Sequence, residues 1–279
     1  MGKAYHKILI FVPLILFIAL SACEKVIDID LNEAEPRLVV EGAITLNNGP
    51  YAVRLTTSGD FFTGEGIAPV SDADVFISGS DGQSETLVGV GNGIYITRDL
   101  QAVPYTAYSL KIRYKDEEYT ASDTLYDQVN IEELSYSVSE LGKGGPDGSE
   151  YENHYDILCK FKDASAKRNF YLLQISINGE EITGMRGKYY LLNDERLNGQ
   201  MVSYPFFGVG ANANDTIKVS LSAIGPATYD YFRTLNDALS QGGMGSTPYN
   251  PISNVSNNAL GFFGTFTFDS ESIIVKENQ

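Results

Sequence analysis

The chain of 279 residues contains no tryptophan, two cysteines and two histidines, and each scarcity removes a class of chemistry. A Ser-His-Asp or Cys-His catalytic unit, a histidine zinc site and a cysteine-rich cluster all need partners that so few residues can hardly supply. Basic residues are scarce as well, 20 Lys and Arg standing against 36 Asp and Glu for a net charge of −16. Such a field repels phosphate backbones, which argues against nucleic acid as a partner. The acids lack the D-x-D-x-D-G spacing of a calcium loop. Asp28-Ile29-Asp30-Leu31-Asn32-Glu33 alternates acids with apolar residues and reads as a tether leading into a strand.

What is present begins at the N-terminus. Lys3 and Lys7 precede an apolar run from Ile8 to Leu20, interrupted by Pro13, and Leu20-Ser21-Ala22-Cys23 follows. The run is short for a bilayer span, which takes about 20 residues. It fits a signal segment cut before Cys23, with small Ser21 and Ala22 admitting the peptidase. In the bacterial lipoprotein pathway the Cys23 thiol is acylated, so the expected mature chain is held in a membrane by several acyl chains. Removing residues 1–22 takes two lysines and no acid, leaving 18 basic residues against 36 acids, a net of −18. His6 leaves too, so His154 is the mature chain's one histidine and Cys159 its one cysteine besides Cys23. Glu24, not aspartate, follows the cysteine, which in the Gram-negative sorting rule favours the outer membrane. The acids at Asp28 and Asp30 partly match surface-export signals. The expectation is an outer-membrane, lipid-anchored protein facing the cell surface, with the periplasmic face as the alternative.

Hydrophobic periodicity predicts a mainly β protein: residues 1–22 signal peptide, 23–36 lipidated tether, 37–127 a β-sandwich, and 128–279 a second β-rich domain with one helix near 228–240. Seven short strands are legible between Arg37 and Leu125, the clearest being Tyr108, Leu110, Ile112 and Tyr114 at period two. In the second half strands read at 131–138, 155–161, 170–177, 188–192, 216–223 and 262–268. Tyr229, Phe232, Leu235 and Leu239 recur at helical spacing before a Gly242-Gly243 stop, as expected of an amphipathic helix covering a sheet. Tyr155, Ile157, Cys159 and Phe161 share one strand face, so Cys159 reads as a buried small hydrophobe. His154, at the start of that strand after an acidic loop, reads as a solvated edge residue.

Val70 with Ala73-Asp74-Val75, Asp81-Gly82, Gly93-Ile94-Tyr95, Tyr108-Ser109-Leu110 and Tyr119-Thr120-Ala121 together resemble the transthyretin-like, carboxypeptidase-regulatory-like sandwich, an Ig-like module that is usually non-catalytic. The whole mature chain resembles the bacterial lipoprotein family known as domain of unknown function 4249. The resemblance rests on Cys23 with Ile29-Asp30-Leu31, on Arg37-Leu38-Val39-Val40-Glu41-Gly42, and on Leu260-Gly261-Phe262-Phe263-Gly264. These motifs are structural. Where relatives commonly carry a glycine pair before the last motif, this chain has Asn257-Asn258-Ala259. The family's usual company implies a non-enzymatic accessory or ligand-capture component of a TonB-dependent nutrient transporter, with no cofactor; the alternative is a structural or adhesive envelope lipoprotein without a small ligand.

Two aromatic clusters stand among polar and flexible residues: Phe61-Phe62, and Tyr204-Pro205-Phe206-Phe207. Read as loops, they are either ligand or partner anchors or plugs folded over a sandwich end. A hydrolase would have to draw on paired carboxylates such as Glu117-Glu118 or Asp194-Glu195, and neighbours in a strand point to opposite faces. Asp123-Thr124-Leu125 and Asp215-Thr216-Ile217 resemble a periplasmic O-glycosylation acceptor and also read as ordinary strand residues.

Overall fold

The computed structural model describes residues 36–47, 49–59, 67–140, 153–164, 168–182, 189–195, 197–240 and 249–276, which fall in one compact unit, Pro36–Gln279. Cys23 and the aromatic pair Phe61 and Phe62 lie outside the described residues.

Alternation of apolar and polar residues builds the first half. Its strands are β1 (Leu38–Thr45), β2 (Ala52–Thr57), β3 (Ala68–Pro69), β4 (Asp74–Gly79), β5 (Ser84–Thr86), β6 (Val88–Gly91), β7 (Ile94–Ile96), β8 (Thr106–Tyr114) and β9 (Glu117–Leu125). One layer holds β1, β2, β7 and β6, and the facing four-stranded sheet runs β5-β4-β8-β9. Inward residues of both layers, among them Val40, Val53, Leu55, Val75, Ile77, Leu110 and Ile112, form one buried cluster. This is the sandwich the periodicity predicts, with more and shorter strands than the seven expected.

The second half continues with β10 (Ile131–Val138), β11 (Asn153–Lys162), β12 (Phe170–Ile177), β13 (Glu180–Glu181), β14 (Tyr190–Asn193), β15 (Met201–Ala211), β16 (Thr216–Ile224), helix α1 (Pro226–Ser240), β17 (Leu260–Phe266) and β18 (Asp269–Ile274). The three-stranded sheet β10-β11-β15 shares a second core with β12 and β16. Alternate residues of β12 serve two sides: Tyr171, Leu173 and Ile175 enter that core, while Phe170 and Leu172 join a third cluster with Ile224, Phe266 and Phe232 of α1. The helix therefore covers the sheet as its stripe predicts, although Leu239, at the stripe's end, is exposed. Among the described residues no helix is long and apolar enough to cross a membrane.

The chain's end ties the halves together. β17 lies parallel to β1, in register from Val39↔Leu260 to Thr45↔Phe266, and then β18 pairs antiparallel with β16. The two family-like motifs, around Val40 and Phe263, are thus hydrogen-bonded neighbours. Their glycines permit it. Gly261 has φ +81°, and a Cβ there would overlap the Val40 carbonyl; a Cβ on Gly42 would sit 3.0 Å from the Phe263 ring and 3.2 Å from Val53. Phe263, fully buried in the first core, contributes about 1.5–3 kcal/mol of apolar burial there. The boundary expected at 127/128 accordingly falls between two cores, while one sheet runs across it through β17.

His154 is buried rather than solvated. β11 begins one residue before it and is the central strand of its sheet, so His154 is flanked by Ser139, whose N–H donates to the His154 carbonyl at 2.8 Å, and by Gly210.

Candidate functional site

The outer face of the four-stranded sheet carries a groove of about 560 Å³. The period-two pattern that sends Val75, Ile77, Tyr108, Leu110, Ile112 and Ala121 inward sends Phe76, Ser78, Ser109, Lys111, Thr120 and Ser122 outward. Register turns these into rows. Ser84, Ser78, Ser109 and Ser122 lie abreast across β5, β4, β8 and β9, and Thr86, Phe76, Lys111 and Thr120 form the adjacent row. Half of the twelve lining residues are Ser or Thr, none is Asp or Glu, and Lys111 is the one charged member. Its ammonium lies 3.1 Å from Glu118. Hydrogen bonds from Lys111 and then Arg113 hold the Glu118 carboxyl below its usual range. The groove is therefore close to neutral within a strongly acidic protein.

One wall is the segment Ser253–Ser256, fixed in place by its own bonds. Ser256 N–H donates to the Thr120 carbonyl and Ser256 Oγ accepts from Thr120 N–H, each at 2.8 Å. Asn254 acts as a backbone mimic, donating to the Phe263 carbonyl at 2.7 Å and accepting from Phe263 N–H at 3.0 Å. Val255 is buried in the first core. This wall also shields the edge of β9, which an exposed ladder would otherwise leave open to pairing. The turn leaving it, with Ala259 N–H donating to the Ser256 carbonyl, has Asn257 and Asn258 at φ +58° and +56°. Positive φ at both central positions is the requirement of a type I′ turn, which asparagine and glycine meet. Asn257 and Asn258 thus hold a conformation that a glycine pair would also suit.

Behind the groove a buried carboxylate joins three elements. Asp123 of β9 accepts from Thr124 N–H at 3.0 Å, from the Thr228 hydroxyl of α1 at 2.5 Å and from Thr265 N–H of β17 at 3.1 Å. Burial pushes its carboxyl up to about 6, against which these hydrogen bonds pull down. Gly225, just before α1, leaves room for it, since any Cβ would overlap the carboxylate. The helix has no acid in its first turn, so Asp123 supplies negative charge near that terminus from another strand. Burial of Asp123 also favours the strand reading of Asp123-Thr124-Leu125 over an accessible acceptor.

Of the aromatic candidates, Tyr204, Phe206 and Phe207 are in strand β15 and not in a loop. Proline and glycine around them suggested the loop, but β15 is the edge strand of its sheet, where proline costs no ladder bond. Phe206 is buried against Tyr190 and Tyr204, with ring centroids 4.8 and 5.2 Å away. Phe207 is 58% exposed. Period-two alternation explains the difference, and a bulge opposite Asp156 shifts the facing beyond it. Tyr155 pairs with Val209 and Ile157 with Phe206, so Phe207 and Gly208 oppose one residue, Gly208 N–H donates to Asp156 at 3.0 Å, and Val209 and Ala211 turn inward. Tyr204 lines a smaller cavity of about 270 Å³ with Tyr189, Tyr190, Tyr229 and Arg233.

Other residues with chemical potential are engaged structurally. Cys159 is fully buried, and desolvation, then the charge of Asp269, pushes its thiol up to about 12. Glu117 accepts from the Tyr119 hydroxyl at 2.5 Å, and Glu195 lies 3.5 Å from Arg168 while Asp194 is buried. Among the described residues no group of three or more His, Cys, Asp or Glu could hold a metal ion. Outward serines are ordinary strand residues in sequence, and the rows take on meaning only through the cross-strand register.

Fold and groove define a mainly β protein with a polar trough on one sandwich face. The chain belongs to the family described as domain of unknown function (DUF4249), whose model matches residues 24–272. No curated protein matches it. Among solved structures it is similar to a tetra-tandem repeat from the extending region of a large adhesion protein, at 12% identity and TM-score 0.21, covering 86% of this chain and 49% of that one. It is also similar to CBD12 from CALX1.2, at 11% identity and TM-score 0.22, covering 84% of this chain and all of that one. The chain thus spans about half the length of the first. Likeness at this level bears on no function.

Proposed function

We propose that the protein is a non-enzymatic outer-membrane lipoprotein, anchored through Cys23 and facing the cell surface, that captures a ligand for a TonB-dependent transporter. The observation that carries the capture reading is the neutral, hydroxyl-lined groove, walled by a segment that is already hydrogen-bonded in place. Concave sites with a few convergent polar groups on a rigid scaffold are where small ligands bind. The burial of Cys159 and His154 supports a non-catalytic reading, because neither side chain lies in that groove. Anchoring rests on the Leu20-Ser21-Ala22-Cys23 sequence, and the transporter link on the family resemblance.

Crosslinking on intact cells followed by purification of the tagged protein tests this reading. A stoichiometric TonB-dependent barrel is the expected companion. Recovery alone or with matrix proteins moves the protein to a structural envelope role.

A further inference from the structure

We infer that the groove on the β4-β8-β9 face holds a neutral saccharide segment, with sugar hydroxyls meeting the serine and threonine rows and one sugar face lying on Phe76. This names the ligand class for the capture reading above and rests on it.

The groove's chemistry selects among ligand classes. Phosphorylated or carboxylated ligands would need an uncompensated cation, and Lys111 is paired with Glu118 at 3.1 Å; the net charge of −16 adds long-range repulsion. A lipid or other wholly apolar ligand would desolvate the outward hydroxyls of Ser78, Ser109 and Ser122, a cost of the kind that makes polar sites reject apolar analogues, whereas Thr120, Ser253 and Ser256 are already bonded within the wall. A neutral polyol satisfies both conditions, since each sugar hydroxyl both donates and accepts, as does each serine. Ser78, Ser109 and Ser122 lie abreast on adjacent strands, which stand about 4.8 Å apart. Sugar units repeat at a comparable length, so successive rings can meet successive hydroxyls. Phe76, 36% exposed in the next row, supplies the apolar surface for the C–H face of a pyranose. The wall is preformed, so little ordering entropy opposes binding.

The test is isothermal titration of the mature chain with neutral hexasaccharides, namely cellohexaose, maltohexaose, xylohexaose and mannohexaose, beside anionic hexagalacturonate. At least one neutral probe should bind and hexagalacturonate should not. Phe76→Ala and Ser109→Asp should each weaken binding about tenfold or more, while Tyr204→Ala leaves it unchanged. Phe76 and Ser109 face outward, so thermal unfolding should move by no more than about 2 °C. The proposal is overturned if folded wild-type protein binds no neutral probe, or if binding survives both groove substitutions. The crosslinking experiment separates the two readings. A barrel recovered with a protein that binds no sugar removes the saccharide and leaves the transporter role; sugar binding without a barrel does the reverse.

Discussion

The two cores are closed in different ways. The second draws its buried residues from a single stretch, Val129 to Val275, whereas the first, built from Leu38 to Leu125, is completed by Val255, Ala259 and Phe263 from the far end of the chain. The first half therefore looks self-sufficient along the sequence and is not so in space. Its outermost strand in the larger sheet is a parallel partner to β1 that arrives only after the second core's strands have been made. Parallel pairing needs a long crossover; here the crossover is most of the second core. Closure entropy must be met before such contacts reward it, so this pairing is expected to form late in folding.

The largest expected effect follows from that dependence. A fragment of residues 36–127 should fail to unfold cooperatively in urea, because it loses Phe263 from its core and exposes the edge of β1. Fusing residues 253–268 to it through a flexible linker should restore a cooperative transition, followed by far-ultraviolet circular dichroism. A fragment that unfolds cooperatively on its own would reduce β17 to a cover and make the first half an independent domain.

A second test sharpens the comparison at Asp123, where the halves meet. Its folded pKa, about 6, lies above the ordinary 3.8, so the folded state holds the proton more tightly than the unfolded one. The contribution is fully present below about pH 4, declines as pH rises to about 6, and is flat above, a change of about 3 kcal/mol. Carboxylates such as Glu133, whose pKa the hydrogen bond from Lys160 lowers, act in the opposite sense and lose stability as pH falls through their folded pKa. Subtracting the stability profile of Asp123→Asn from that of wild type isolates the one group. The difference should fall across pH 4–6, and a flat difference would mean that solvent reaches the carboxylate.

Strands were legible wherever one face is buried and the other wet. Residues 131–138 and 170–177 coincide with β10 and β12, and the helix was marked by Tyr229, Phe232 and Leu235. β15 was not legible, because Pro205, Gly208 and Gly210 interrupt its pattern and a bulge after Phe207 reverses the facing of Val209 and Ala211. His154 was misread because an acidic neighbourhood in sequence says nothing of the strands that flank it in space. The groove was legible residue by residue and invisible as a site, since the serines of β4, β8 and β9 become one surface only through pairing.

The smallest expected effect concerns Asn257 and Asn258, which link the groove wall to β17. An L-residue with an ordinary side chain pays about 1 kcal/mol or more at positive φ, whereas asparagine pays less and glycine nothing. Replacing either by glycine should therefore leave the urea midpoint unchanged or raise it slightly, and replacing either by alanine should cost about 1 kcal/mol. Because the same turn sets the path of Ser253–Ser256 and the register of β17 on β1, the double alanine variant should weaken ligand binding in the groove as well as stability. Glycine substitutions should change neither. A turn indifferent to both replacements would mean that β17 is positioned by its pairing with β1 alone, and the first core would then owe its closure to the strand rather than to the wall that precedes it.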